Sequence, residues 1–548
     1  KNALVDYLER EKQFAREDIE TNQSLPDAEK IEKGLLVEHA SVLRSMPPFY
    51  DLEVSENNTK LRPGDYVELQ NGNTKLSAKV IENTSDIISI ECSTPLKDGD
   101  TFRLEVKELV MLQSIINLAK TIDEYCTGAF WMEILAGIEY PDKEGISTIP
   151  RHKNISNLND CQNNAINSAL KRPSYFCIQG PPGTGKTSVL SMIAASYASD
   201  PSTAHPVLIL SHSHQAVNNA LNKVKKDYPN LNVTKVGDLL KAEGLDVSVS
   251  ISENYNSYLR SRNKRKFADR DIVGMTYHAA VVNLGLRNTS FNPHVAIIDE
   301  AGQMPFVYGA LIGMFGCSTN IFIGDDRQMP PIFHEKLIGN PFSQSIFSYL
   351  CEQNPSFREV LTTTYRMNDE ITEFINKHFY NPHGIALCSS NYSAARRLEM
   401  PVFSSDERIS AILSSPKSIH RLDVSSNSDW EDFNGEEAEF ISDLILEALN
   451  EGLAHKDIAV ITPYRRQVKT IREYVATKLK NSGQSNIPLI DTVERLQGQE
   501  VEMVIISLSI TSPDFWIQQR DFVLNPNRLN VMVSRARTKV VILGKYAE

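Results

Sequence analysis

The sequence predicts an α/β protein with two tandem parallel-sheet domains, preceded by a helical stalk that carries a small inserted β-barrel. Three observations predict it. From Ser174 onward, short apolar β-rich runs alternate with helical stretches, the pattern of parallel sheets covered by helices. The runs form two series, YFCIQG, VLILS, VAIIDE and IFIGD, then IAVIT, LIDTV, VEMVIISLS and VVILG, so two sheets are expected. From about 60 to 107 the texture is alternation broken by Asn-Gly and Asp-Gly turns, which reads as a small antiparallel barrel.

The elements follow in order. Leu4, Tyr7, Leu8 and Phe14 recur at helical spacing among charges, which predicts an amphipathic helix. Residues 105 to 137 read as helical again, so the barrel sits on a stalk. We place the stalk helix and start of the barrel at 1–50, the barrel at 51–110 and the returning stalk helices at 111–150. The first sheet domain is placed at 151–352, with a small helical insertion at about 238–270, and the second at 353–548, the break falling near 350–360. A chain of 548 residues is too long for one core, and roughly three or four units are expected.

Composition excludes several classes. With 41% hydrophobic and 23% charged residues the chain reads as globular and soluble. No run of about 18 apolar residues occurs, and the start KNALVDYLEREK is charged, so neither a membrane span nor a secretion signal is expected. The lack of an initiator Met and the ending VVILGKYAE suggest a segment of a longer polypeptide with room for flanking domains and protein partners. Seven cysteines (92, 126, 161, 177, 317, 351 and 388) show no CxxC or Cys/His ligand spacing. Reduced thiols inside the cell, cytoplasmic or nuclear, fit that pattern, and a zinc module does not. The net charge of -12 argues weakly against nucleic acid, because a groove needs only local positive potential. Arg260 to Arg270 (RSRNKRKFADR) and Tyr464-Arg465-Arg466 supply such clusters, although a charge cluster alone is usually a solvated face.

QGPPGTGKTS (179–188) follows the strand YFCI and precedes a helical run, with the G-x-x-x-x-G-K-T spacing. Such a loop aims backbone N–H groups and a helix N-terminus at phosphates. Gly180, Pro181, Pro182, Gly183, Thr184, Gly185, Lys186, Thr187 and Ser188 form the cradle. Lys186 reaches the terminal phosphates of ATP and the Thr187 hydroxyl ligates Mg2+. HVAIIDEAGQ supplies the second half: Asp299 for the Mg2+ shell and Glu300 to orient or deprotonate the attacking water. IFIGDDRQMPPI (321–332) ends a third apolar strand at the same crevice, where Gln328 can donate to a γ-phosphate or its water. The second series offers TTYRMNDE (Arg366) and LNVMVSRAR (Arg535), arginines suited to stabilise charge on the transferring phosphoryl group across a cleft. A lone arginine on a helix is usually surface, so the weight lies in the ordered set.

That set resembles the superfamily 1B helicases of the DNA2/NAM7 type, the branch containing the nonsense-mediated-decay and immunoglobulin-mu-binding-protein helicases. It comprises LNDCQNNA (158–165), GPPGTGKT (180–187), LSHSHQAVNNAL (210–221), DIVGMTYHA (271–279), DEAGQ (299–303) and GDDRQMPP (324–331). It continues with TYRM (364–367), ITPYRRQ (461–467), DTVERLQGQE (491–500) and RLNVMVSRAR (528–537). The resemblance covers essentially the whole chain and implies two tandem RecA-like P-loop domains. It further implies that Gln162 reads the adenine edge, Tyr365 stacks on the base, Gly498 and Glu500 contact the ribose, and Arg366 and Arg535 hold the γ-phosphate. For the nucleic-acid strand it implies Ser213, His214, Ala216, Val217, Thr276, Thr462, Pro463, Tyr464, Thr492 and Val493. Hydroxyls and backbone amides grip phosphates without reading sequence, as translocation requires. His214 stands where the family often has Asn, Gln499 where a basic residue is usual, Glu494 for Asp, and Asp326-Arg327 for a His-Lys type pair.

The expectation is an ATP-dependent 5'-to-3' helicase or translocase on single-stranded RNA or DNA, using ATP and Mg2+ and working as a monomer. The alternative is an ATP-controlled clamp that recruits partners without productive unwinding, which needs the same motifs. A ring ATPase borrowing its arginine from a neighbouring subunit is made unnecessary by Arg366 and Arg535 in the same chain.

Overall fold

A computed structural model describes residues 1–544 except 33, 55–56, 58, 60, 62–64, 85, 109, 125, 146–147, 152–157, 201–205, 238–241, 243, 253–270, 283–292, 402–403, 425–432, 484–485, 494–495, 497–498 and 511. The basic cluster 260–270, most of the expected helical insertion and Gly498 lie outside the described residues. Among the described residues no helix is long and apolar enough to cross a membrane.

Six antiparallel strands close the barrel: β1 (Leu36–Met46), β2 (Phe49–Val54), β3 (Tyr66–Asn71), β4 (Thr74–Asn83), β5 (Ile87–Glu91) and β6 (Thr101–Glu108), in the order β1-β2-β5-β4-β3-β6. Val42, Leu52, Val67, Leu69, Val80, Ile88, Ile90 and Leu104 fill its interior. The barrel begins at Leu36, within the 1–50 stretch and upstream of the alternation visible from residue 60. β1 explains why: its register shifts between Val37 and Ala40 and again between Val42 and Arg44, and each bulge breaks the period of two that marks a strand.

The helix Asn2–Gln23 runs beside Val110–Thr121, tied by Lys120 to Glu9 at 2.8 Å. Leu4, Tyr7 and Leu8 join Ile115, Ile116 and Ala119 in a core that continues onto one face of the first sheet. Farther along the same helix, Phe14 stacks on His334 at 5.3 Å, and Asp18 accepts from His334 at 2.9 Å. The returning helix Cys126–Leu135 carries Trp131, whose indole N–H donates to the Gly309 carbonyl at 3.0 Å and whose ring stacks on Phe322.

The first sheet comprises β7 (Tyr175–Gln179), β8 (Val207–Ser211), β9 (Val233–Val236), β10 (Ser250–Ser252), β11 (Ile272–Thr276), β12 (Val295–Ile298), β13 (Thr319–Gly324) and β14 (Arg358–Val360). They lie in the order β10-β9-β11-β8-β12-β13-β7-β14, and every pairing is parallel. β10 falls within the stretch expected to be helical, where Val247, Val249 and Ile251 alternate with serines and the strand pairs with β9. β14 pairs with β7, so the chain leaves the first sheet only after Val360. After a two-stranded ribbon of β15 (Thr363–Thr364) and β16 (Cys388–Ser389), the second sheet follows. Its strands are β17 (Ile419–Leu422), β18 (Ile458–Thr462), β19 (Leu489–Thr492), β20 (Val501–Ser507) and β21 (Ala536–Leu543), all parallel, in the order β17-β21-β20-β18-β19. Both sheets are fully buried in their middle strands, which is why those runs lack alternation. The barrel reaches the second half as well: the guanidinium of Arg465 donates to the Asn57 carbonyl, and Arg472 lies 3.4 Å from Asp86.

Candidate nucleotide and strand site

Parallel strands bring their carboxyl ends to one edge, and here that edge gathers the motifs. β7 runs into the phosphate loop, in which Gly183 and Gly185 adopt φ of 73° and 82°, and Lys186 opens the helix Lys186–Ser199. The Lys186 ammonium donates to the Gly180 carbonyl at 2.6 Å and so lies across the mouth of the loop. β12 leads into Asp299, whose amide donates to the Leu210 carbonyl at 2.8 Å, and then into Glu300 with φ of 52°. A left-handed non-glycine residue costs on the order of 1–3 kcal/mol and clusters at functional sites. β13 ends beside it, and the approach is so close that a Cβ on Gly302 would meet the Asp325 carbonyl at 2.5 Å.

Electrostatics bind these ends into one unit. Burial, and after it the neighbouring Glu300, push the Asp299 carboxyl up to about 7 against the pull of Lys186. Burial likewise raises Asp325 to about 6, again against Lys186. A buried carboxylate such as Asp299, whose charge is disfavoured until a cation arrives, is the kind of hard-oxygen donor that Mg2+ takes.

The second half closes directly on the loop. Thr364 Oγ1 donates to the Pro182 carbonyl at 2.8 Å, and the Tyr365 amide donates to Gly183 at 2.8 Å. The Tyr365 hydroxyl accepts from Asn159 Nδ2 at 2.8 Å, and Asn159 forms a capping box with Gln162. Gln162 is bonded at both ends of its amide: Oε1 accepts from the Asn159 amide at 3.0 Å and Nε2 donates to the Thr184 carbonyl at 2.9 Å. Neither bond uses the second amide N–H or the second oxygen lone pair of Gln162.

Arg366 is engaged by Glu500 at 2.6 Å and donates to the Ser534 carbonyl at 2.9 Å. Glu500 also accepts from Arg537 at 2.7 Å, so it bridges two arginines. Burial raises its carboxyl, but Arg366 and Arg537 outweigh that and hold it below the ordinary value. Arg535 is 4% exposed, and burial followed by repulsion from Arg366 pushes its guanidinium down to about 9. Its Nη2 faces Gln328 Oε1 at 3.4 Å. One amide N–H of Gln328 is donated to Asp325 at 2.8 Å.

The residues expected on the strand lie at the carboxyl ends of β8, β11, β18 and β19. Ser213 caps the helix His214–Asp227 by accepting from the Ala216 amide at 3.2 Å, and Thr276 caps the next turn by accepting from Ala279 at 3.2 Å. Thr462 pairs with Ser509 at 3.4 Å, Tyr464 packs against Phe515, and Thr492 closes β19. Val217 and Val493 point into cores, so only their backbone can face a strand. Sequence reading missed Asn159, Asp325, Tyr380 and Asn530. Asn159, Asp325 and Asn530 stand inside quoted motifs, whereas Tyr380 has no signature.

A nucleotide loop closed by a second parallel sheet defines a two-sheet P-loop ATPase of the tandem RecA-like class. Two AAA domain family models match, one at residues 157–250 and one at 342–547. The human DNA replication ATP-dependent helicase/nuclease DNA2 is 27% identical over 426 residues, which is 71% of this chain and 37% of that protein. An ATP-dependent helicase of Methanocaldococcus jannaschii is 24% identical over 589 residues, 89% of this chain and 83% of its own. Among solved structures, the arterivirus nonstructural protein 10 helicase covers 96% of this chain and 81% of its own at 12% identity, with a TM-score of 0.41, a likeness too loose to carry weight. The two AAA domain matches and the helicase relatives support a likeness to the superfamily 1B helicases of the DNA2/NAM7 type. The chain spans 37% of the length of the human relative.

Proposed function

We propose that the chain is an ATP-dependent 5'-to-3' helicase or translocase on single-stranded nucleic acid, hydrolysing ATP between the two sheets. One observation carries the reading: the second half touches the phosphate loop through Thr364 and Tyr365 and the Gln328 loop through Arg535. A site built from both halves ties hydrolysis to their relative position, and motion of one sheet against the other can then ratchet a strand lying along the strand ends. Lys186 and Arg535 compensate phosphate charge, Glu300 orients or deprotonates the attacking water, and Arg366 joins once it leaves Glu500. Thr187 and Asp299 would hold Mg2+, which when bound compensates charge on the terminal phosphates. The polarity comes from the family resemblance.

The test is steady-state ATP hydrolysis alone, with single-stranded RNA and with single-stranded DNA, beside Lys186→Ala, followed by strand displacement from a 5' overhang. Polymer-stimulated turnover that Lys186→Ala abolishes supports the reading. Turnover retained in Lys186→Ala refutes the site, and stimulated hydrolysis without displacement turns the reading to a clamp.

A further inference from the structure

A buried polar chain joins the two halves behind Gln328. Asp325 is 3% exposed and accepts from three groups: Gln328 Nε2 at 2.8 Å, the Arg327 amide at 3.1 Å and the Tyr380 hydroxyl at 2.6 Å. Tyr380 is fully buried and belongs to the second half, at the end of the π-helical turn Asn376–Tyr380, an irregularity that recurs at functional sites. Because its proton goes to the carboxylate, its oxygen accepts, and it takes a bond from Asn530 Nδ2 at 2.9 Å. Asn530 also donates to the Arg327 carbonyl at 2.7 Å, and Asn527 donates to the Gln328 carbonyl at 2.7 Å. Both asparagines stand on the helix Pro526–Val533, which leads directly into Arg535.

Donor chemistry fixes the glutamine. Its NH2 must face the Asp325 carboxylate and its Oε1 the Arg535 guanidinium, because the reverse would oppose like groups at both ends. We propose that Tyr380 is a positioning residue for ATP hydrolysis: its hydroxyl, steadied by Asn530, clamps Asp325 so that Gln328 presents Oε1 to Arg535 and to the attacking water. The inference rests on the function proposed above. Without the hydroxyl, Asp325 loses its only donor from the second half among the described residues, Asn530 loses an acceptor, and Gln328 is free to turn. The clamp forms only when the two halves meet, so it makes water positioning conditional on cleft closure.

The experiment uses Tyr380→Phe, which keeps the ring, together with Gln328→Ala and the double variant in the full chain. Hydrolysis is measured with and without single-stranded RNA and DNA, alongside Tm. Tyr380→Phe is expected to lower kcat about tenfold or more while KM for ATP moves less than about twofold. The double variant is expected to be no slower than Gln328→Ala alone, since the tyrosine acts through the glutamine. Unchanged kcat in Tyr380→Phe overturns the inference, and so does a double variant whose losses multiply. A wild-type chain without ATP hydrolysis overturns the underlying function as well, whereas wild-type turnover with an indifferent Tyr380→Phe overturns the clamp alone.

Discussion

The Gly183 carbonyl accepts the Tyr365 amide at 2.8 Å, placing the backbone of the second half against the tightest bend of the phosphate loop. Only glycine permits this contact. A Cβ at residue 183 would lie 2.5 Å from Thr364 Oγ1 and collide with the Arg366 side chain, and the φ of 73° already disfavours other residues. Gly183→Ala is expected to hold the cleft open and lower polymer-stimulated kcat at least about tenfold, with a rise in KM for ATP. Steady-state kinetics check this, and wild-type behaviour would refute the contact.

Arg535 should be irreplaceable by lysine. Its guanidinium makes three bonds at once, to the Val531 carbonyl at 3.1 Å, the Gln499 carbonyl at 3.2 Å and Gln328 Oε1 at 3.4 Å, and an ammonium cannot reproduce that fork. Arg535→Lys and Arg535→Ala are both expected to lose about a hundredfold or more in single-turnover hydrolysis.

Glu437 gives the protein a pH signature remote from the nucleotide loop. It is fully buried, accepting from Ser507 at 2.6 Å and the Ser509 amide at 3.2 Å, and burial pushes its carboxyl up to about 8. The folded state therefore holds a proton that the unfolded state releases near the ordinary value of 4.5, so this group lowers stability as pH rises from about 5 to 8. The slope is at most about 1.4 kcal/mol per pH unit. Glu437→Gln is expected to flatten Tm against pH over that window, and equal slopes in wild type and variant would exclude it.

Trp131 fastens the stalk to the first sheet. Trp131→Ala removes a stacked ring and leaves a buried carbonyl at Gly309, an expected loss of about 3–5 kcal/mol in denaturant unfolding. Trp131→Phe keeps most of the packing but still leaves the carbonyl without its donor, an expected cost of about 1–3 kcal/mol.

The nucleotide loop, Asp299-Glu300, Gln328 and the two arginines are legible in the sequence because phosphate chemistry confines them to short, strongly spaced motifs at strand ends. Tyr380 is not, because its meaning depends on Asp325, 55 positions earlier and in the other sheet. Glu500 is recognised in the sequence but not its partners, since pairing with Arg366 and Arg537 is decided by tertiary packing. The start of the barrel is placed within 1–50, but the bounds of its first strand are blurred by its bulges, and β14 is hidden by being three residues long and lying at an edge.

The stalk also sets an order of assembly. Leu4, Tyr7 and Leu8 are synthesised early, yet the core they enter includes Phe347, Leu350 and Phe357. At the roughly 5–20 residues per second of protein synthesis, some 15–70 s separate the two. The barrel, one contiguous stretch with its own interior, can fold within that interval, whereas the apolar stripe of the stalk must wait for its partner. A ribosome-bound chain halted before residue 340 should therefore present a closed barrel beside a helix vulnerable to proteases and attractive to chaperones, and its last packing step should coincide with completion of the first sheet.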